Sequence, residues 1–445
     1  MGIEHSADLD ASAEDLWALL ERPGAIYRLL PPWQPMTVVQ EAANLRDGTA
    51  KLRVAGAPWT SQHQRDGYVQ GQQFVDELTS FPLRLVNPWR HEHRVQVADG
   101  GRSVMSDTVI TPVPAALLRA TFEYRHRQLA GDLAAHAAYA SPPLTVAVTG
   151  ASGLIGSQLA ALLSTGGHKI VRLVRHPASG ADERQWDTDN PAKNLLDGVD
   201  AVVHLAGEGI AGRFTAAHKQ AVRGSRVGPT RRLAEVAAAA GVGTFVSASG
   251  IGIYGADRGD EPLDETAIAG DDFLAKVVVD WEADSATVAA ANARLRTVQV
   301  RTGIVVTPAG GFIKQLRPLF ALGVGGRLGS GEQWLSWIGI DDLLDIYLRA
   351  LTDTSLSGPV NAVAPNPVRN KEFTTVFGHV MHRPTVVPVP SFGPKLLLGS
   401  EGAAEVAEAS QRVTPAVLER AGHRFRNPDL ESALRHVMGK SSVNP

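Results

Sequence analysis

Three glycines spaced three residues apart, Gly150, Gly153 and Gly156, follow directly on the apolar, β-branched run 144–149. A strand that breaks into glycines and reopens as a helix can bring bare backbone against a phosphate. Glycine allows the close approach, and the first N–H groups of the helix point at the negative charge. Gly150, Ser152, Gly153, Leu154 and Ile155 are therefore expected at a dinucleotide pyrophosphate, with Gly156 letting the helix lie close on the strand. The flanking elements fit. Leu159, Leu162 and Leu163 continue at helical spacing, Gly166-Gly167 ends the helix, and 168–175 alternates as a second strand. Strand, turn, helix and strand make the βαβ unit that the motif requires.

The second strand ends at Arg175, where an NAD site would carry Asp or Glu for the ribose hydroxyls. A guanidinium can hold a 2′-phosphate through two parallel hydrogen bonds, so NADP is expected over NAD. Residues 200–207 read as another buried parallel strand, whose end at Leu205, Ala206 and Gly207 leaves room for the cofactor. The strand 244–249 carries Ser247 and Ser249 and leads to Tyr254. These three hydroxyls are the catalytic candidates at the carboxyl end of the sheet, Tyr254 foremost, and Ser247 is also expected among the residues that bind the cofactor. No spacing of His, Asp or Glu suggests a metal site, and the 14 histidines look scattered.

At 445 residues the chain is long enough for two or three domains. A net charge of −3 gives no electrostatic reason to expect nucleic acid or an anionic membrane as partner. The absence of cysteine excludes disulfides, thiolate metal sites and cysteine nucleophiles, and it suits a reducing cytoplasm. The first 15 residues lack the apolar core of a signal peptide, and no run approaches the roughly 20 apolar residues of a membrane span. A cytoplasmic protein acting on a small molecule is expected.

The region 1–140 has a different pattern. Ser12 caps a helix over 12–21, and strands are predicted at 51–54, 73–78, 91–97 and 103–110 between Asp-Gly turns. A long helix over 115–139 carries Leu117, Leu118, Phe122, Leu129 and Leu133 on its apolar side. This layout, with the strings 31–33 and 122–127, resembles the START-like (SRPBCC) helix-grip domains. That resemblance implies an α+β domain enclosing an apolar pocket and an apolar ligand; a filled core used for docking is the other reading. Ser141, Pro142 and Pro143 form the linker.

From 144 to 438 the strings 149–156, 204–207, 247–255 and 341–343 resemble the extended short-chain dehydrogenase/reductases, the NAD-dependent epimerase/dehydratase group. Closer still is a sugar-nucleotide epimerase subfamily with a C-terminal tail, matched at 360–368, 410–415 and 421–425. The resemblance implies a Rossmann-type, doubly wound parallel sheet over 144–360 with substrate-side loops, and a tail domain over 361–445. It also implies that Arg327, Gln333 and Trp334 face the substrate. One departure limits the mechanism. The family's usual Tyr, followed four residues later by Lys, is missing: none of the six tyrosines has such a lysine, and Phe273 or Leu274 stands at the Tyr place. Gly250 and Arg226 stand where the family usually has Ser and Asn. Two functions are therefore expected in competition: an NADP-dependent oxidoreductase or epimerase-like enzyme of atypical type, and a non-catalytic NADP(H)-binding sensor coupled to the START-like domain.

Overall fold

The computed structural model describes residues 2–390 and 392–440; the end of the expected tail region, 441–445, lies outside them. The chain divides into two compact units. One comprises Met1–Ser141 with Ala160–His168 and His436–Pro445, the other Pro142–Leu159 with Lys169–Arg435.

The first unit is a seven-stranded antiparallel sheet packed against helices. Its strands are β1 (Gly2–Leu9), β2 (Met36–Gln40), β3 (Thr49–Val54), β4 (Ala57–His63), β5 (Gln73–Leu78), β6 (Arg90–Val97) and β7 (Ser103–Ile110). Spatial order is β1-β7-β6-β5-β4-β3-β2, a meander whose first strand returns beside its last, with Gly2 opposite Ile110. Its helices are α1 (Ala13–Glu21), α2 (Ala25–Leu29), α3 (Leu83–Val86) and the 24-residue α4 (Ala115–Ala138). Ser12 caps α1 as the sequence indicates, accepting the Asp15 N–H at 3.0 Å. Leu16, Trp17, Leu19 and Leu20 of α1 then pack with Phe74, Val95, Met105, Leu129 and Leu133. Inside this core Arg28 of α2 forms a two-pronged ion pair with Asp132 of α4, both contacts at 2.9 Å.

Two sequence expectations change here. Leu117 is 73% exposed, because the buried stripe of α4 runs through 118, 122, 129 and 133, one position round the helix. The scattered histidines also converge: His63, His91, His93 and His126 are buried together with Asp107, beside Asp76.

The second unit is a doubly wound α/β fold. It contains β8 (Thr145–Thr149), the first half of α5 (Leu154–Thr165), β9 (Lys169–Val174), β10 (Glu183–Gln185), β11 (Ala201–His204), α6 (Ala216–Gly224), α7 (Pro229–Ala239), β12 (Thr244–Gly250), β13 (Asp257–Leu263), α8 (Phe273–Ala291) and β14 (Arg296–Thr302). Its parallel sheet runs β10-β9-β8-β11-β12-β14 and ends on the strand Gly358–Ala362. Strands buried on both faces need no alternation, which is why 146–148, 202–203 and 245–246 read as continuous apolar runs. The strand order reverses beside β8, with β9 on one side and β11 on the other. A crevice opens at such a reversal outside the carboxyl ends of the strands.

Candidate functional site

The crevice is built by backbone that only glycine can supply. Gly150 leaves β8 with φ at +67°, and a Cβ there would lie 3.0 Å from the Ala206 nitrogen and the Leu205 carbonyl carbon. A Cβ on Gly153 would sit 3.2 Å from the Gly150 carbonyl oxygen, and one on Gly156 would run into that oxygen outright. The loop is thus folded tightly on itself at the start of α5. Ser152 and Gly153 are exposed and Leu154 and Ile155 half-buried, so the first turn of the helix reaches solvent. Its N–H groups lack intrahelical partners and remain available to an anion.

A buried polar relay holds the opposite wall. Thr149 at the end of β8 accepts the N–H groups of Leu205 and Ala206 at 3.0 and 3.1 Å. Its hydroxyl proton is left for His204 Nδ1 at 2.8 Å, and His204 Nε2–H donates to Thr230 at 3.1 Å. Thr230 in turn donates to the Arg226 carbonyl at 2.8 Å. This order of donors requires a neutral imidazole, and burial pushes the His204 pKa down to about 4, with the nearby Arg226 adding to the shift.

Arg226, the residue at the usual Asn place, supports the same loop from the other side. It donates to the Glu208 carbonyl at 2.8 Å and to the Val222 carbonyl at 3.0 Å, and its guanidinium lies 5.1 Å from the Trp281 ring centroid. A Cβ on Gly207 would stand 3.0 Å from that guanidinium. Arg175, just past β9, is exposed and makes no hydrogen bond or ion pair among the described residues. Its neighbour Arg172 is already spent on Asp182 at 2.7 Å.

The three hydroxyl candidates lie close in sequence but have different surroundings. Ser247 donates to the Ala248 carbonyl at 3.0 Å. Ser249 donates to Glu282 of α8 at 2.5 Å. Glu282 also receives a two-pronged pair from Arg301 of β14, at 2.9 and 2.8 Å. Tyr254 is completely buried; its hydroxyl donates to Asn361 at 2.6 Å and accepts from Arg301 at 3.0 Å. Burial pushes its pKa up to about 12, against the pull of Arg301. Ser249, Glu282, Arg301, Tyr254 and Asn361 therefore form one continuous network across the strand ends.

Glu282 is the member of this network that the sequence reading does not single out. The buried stripe of α8 runs through Leu274, Val278, Trp281 and Ser285, and a carboxylate beside Trp281 on that stripe must find a partner inside. At the usual Tyr place Phe273 packs edge-on against Phe214, 5.7 Å between centroids, and Lys276 is exposed.

A separate cavity of about 500 Å³ opens among the loops, lined by residues that include Asp260, Ser330, Gln333, Arg369, Lys395 and Glu408. Gln333 is in its wall. Trp334 stands behind Asp260, donating to it at 2.7 Å, with the Arg369 guanidinium 4.1 Å from its ring centroid. Arg327 is exposed, donates to the Ser330 carbonyl and does not line the cavity. Glu408 Oε1 is buried there without a hydrogen-bond partner.

Residues 146–362 match the NAD dependent epimerase/dehydratase family, and 389–437 match a domain of unknown function, DUF1731. An epimerase family protein of Mycobacterium bovis is 43% identical over 295 residues, which are 66% of this chain and 97% of that protein. A crystal structure described as the nucleoside-diphosphate sugar epimerase from Corynebacterium glutamicum is 40% identical with a TM-score of 0.86, covering 98% of this chain and 90% of that one. The human epimerase family protein SDR39U1, crystallised with NADPH, is 32% identical with a TM-score of 0.59, covering 66% of this chain and 99% of that one.

Proposed function

This chain belongs to the NAD dependent epimerase/dehydratase family, and from that premise we propose that it is an NADP-dependent oxidoreductase or epimerase-like enzyme of atypical type. The observation that carries the cofactor assignment is the glycine cradle at Gly150, Gly153 and Gly156, facing the Leu205–Gly207 loop, with an unengaged Arg175 at the end of β9. The first turn of α5 would take the pyrophosphate, and Arg175 the 2′-phosphate. The bound nicotinamide would supply a hydride acceptor or donor. The cavity beside Gln333 is the substrate site in this reading; its lining sets four carboxylates, Asp257, Asp260, Glu332 and Glu408, against Arg369 and Lys395, which suits a small polar, hydroxyl-rich substrate of the sugar type.

The proton is assigned to Ser249 and Glu282 or to a water at that end of the sheet. Tyr254 is given a positioning role, because its hydroxyl is enclosed and already has two partners. The missing Tyr/Lys pair favours the second reading, an NADP(H) sensor in which the first unit is a START-like helix-grip domain (1–140) ahead of the nucleotide domain (144–360) and tail (361–445). An apolar ligand of that domain would also meet the buried histidines and aspartates of its interior. A cytoplasmic setting belongs to both readings.

Fluorescence titration with NADPH and NADH tests the cofactor. NADPH is expected to bind the more tightly, and Arg175→Ala should weaken NADPH by about 10- to 100-fold, the worth of a charge-assisted phosphate contact, with little effect on NADH. Equal loss for both cofactors would remove Arg175 from the phosphate site. Turnover of carbonyl and nucleotide-sugar substrates then separates enzyme from sensor.

A further inference from the structure

The interior of the first unit brings together a set of side chains with no part in nucleotide chemistry. On the inner face of the sheet, His91 and His93 of β6 lie two residues apart on one side of the strand, and Asp76 stands opposite on β5. Asp76 Oδ2 is 3.7 Å from His91 Nδ1 and 3.2 Å from His93 Nε2, and the three donor atoms all fall within 4.8 Å of one another. An ion about 2.1 Å from each of three tetrahedrally disposed ligands would separate them by roughly 3.4 Å. The spacing already seen is close to that.

The surrounding groups are arranged as ligand supports. A metal-bound histidine needs its other ring nitrogen donated to an acceptor, most often a carboxylate. His91 Nε2 lies 2.9 Å from Asp107 Oδ1, and His93 Nδ1 lies 2.8 Å from the same oxygen, although off the line of a hydrogen bond. One carboxylate thus faces the far side of both imidazoles. Asp107 is itself fixed by His126 at 2.7 Å, and the second oxygen of Asp76 accepts the Ser61 hydroxyl. Phe74 stacks on His93, with ring centroids 4.0 Å apart, and closes the site on its apolar side. Asp76 and Asp107 bring a charge of −2 to the cluster, and with Arg125 4.0 Å from Asp107 as the fixed cation beside it the cluster still carries net negative charge that a divalent cation would offset.

We propose that Asp76, His91 and His93 bind a divalent transition-metal ion of the Zn²⁺ type, with Asp107 as the shared outer carboxylate that orients both histidines. Two imidazoles and one carboxylate suit a borderline metal better than Mg²⁺ or Ca²⁺, which prefer all-oxygen shells. Three protein ligands leave at least one coordination position for water or another ligand, as in catalytic rather than closed structural sites. The site is independent of the nucleotide reading, since all its residues belong to the first unit.

The test uses the full chain, stripped with chelator and titrated with Zn²⁺ and with Co²⁺ as a spectroscopic probe. One equivalent per chain is expected, with visible Co²⁺ bands and an X-ray absorption spectrum showing two imidazole ligands. His93→Gln should weaken binding beyond about 100-fold, and Asp107→Asn by about 10- to 100-fold. Failure to bind one equivalent stoichiometrically overturns the proposal. So does binding that survives both His91→Gln and His93→Gln. Where a variant does not fold, the absorption spectrum of the wild-type metal protein decides: a shell without imidazole overturns the site.

Discussion

His204 can hold its neighbours only as a neutral imidazole, because Thr149 must donate to Nδ1 after accepting two backbone N–H groups. Its folded pKa of about 4 lies below the ordinary value near 6.5. Between those values the unfolded chain takes up a proton that the folded one refuses. The stabilising contribution is therefore complete above about pH 6.5 and is lost as pH falls toward 4, by about 3 kcal/mol in all. The expected measurement is an imidazole NMR titration of His204 with a midpoint near pH 4; a midpoint near 6.5 would mean that the relay is open to water. His423 is also pushed to about 4 by burial, so bulk denaturation curves should fall more steeply with acid than His204 alone explains. Tyr254→Phe tests a second residue. It leaves Asn361 and Arg301 each short of a partner and should lower stability by about 1–3 kcal/mol, while NADPH affinity stays within about twofold. A complete loss of turnover with unchanged stability would return the proton to Tyr254.

Elements decide where those residues can act. Helix α5 can approach β8 only because position 156 has no side chain. Gly156→Ala should move the helix, lower stability by about 1–3 kcal/mol and weaken NADPH, as read by thermal denaturation and fluorescence titration. Wild-type affinity in that variant would show that the cradle does not depend on this close packing. The cradle was legible in the sequence because glycine spacing reports backbone geometry directly, with the strand before it and the helix after it equally clear. Other elements were less so. β1 was not predicted, because it is an edge strand half open to solvent with a short alternating pattern, and its partner β7 lies about 100 residues away. The Ser249–Glu282–Arg301–Tyr254–Asn361 network draws its members from two strands, a helix, a turn and a further strand. No local spacing announces such a convergence. The pair His91 and His93 did offer a signal, two ring nitrogens on one face of a predicted strand, but its significance depends on Asp76 and Asp107 from neighbouring strands.

At the scale of the molecule, the two units have separate apolar cores, one around Leu16, Phe74 and Leu129 and another around Ala147, Leu196 and Phe245. Ligands that bind in one core should protect mainly that core. Hydrogen exchange is expected to slow at 148–157 and 204–208 on adding NADPH, and at 74–77, 90–94 and 105–108 on adding Zn²⁺. Protection by Zn²⁺ confined to the nucleotide loops would place the ion elsewhere. No helix among the described residues is long and apolar enough to cross a membrane. The order of strands also has a temporal consequence. Because β1 pairs with β7, every strand of the antiparallel sheet has been synthesised by Ile110, with three-quarters of the chain still to be made. At roughly 5–20 residues per second, translation of that remainder lasts tens of seconds, whereas a sheet of this kind forms within about a second. All the strands that carry the His/Asp cluster are therefore present on the nascent chain, and can begin to pair, while the segment from His436 that completes the first unit is still unmade.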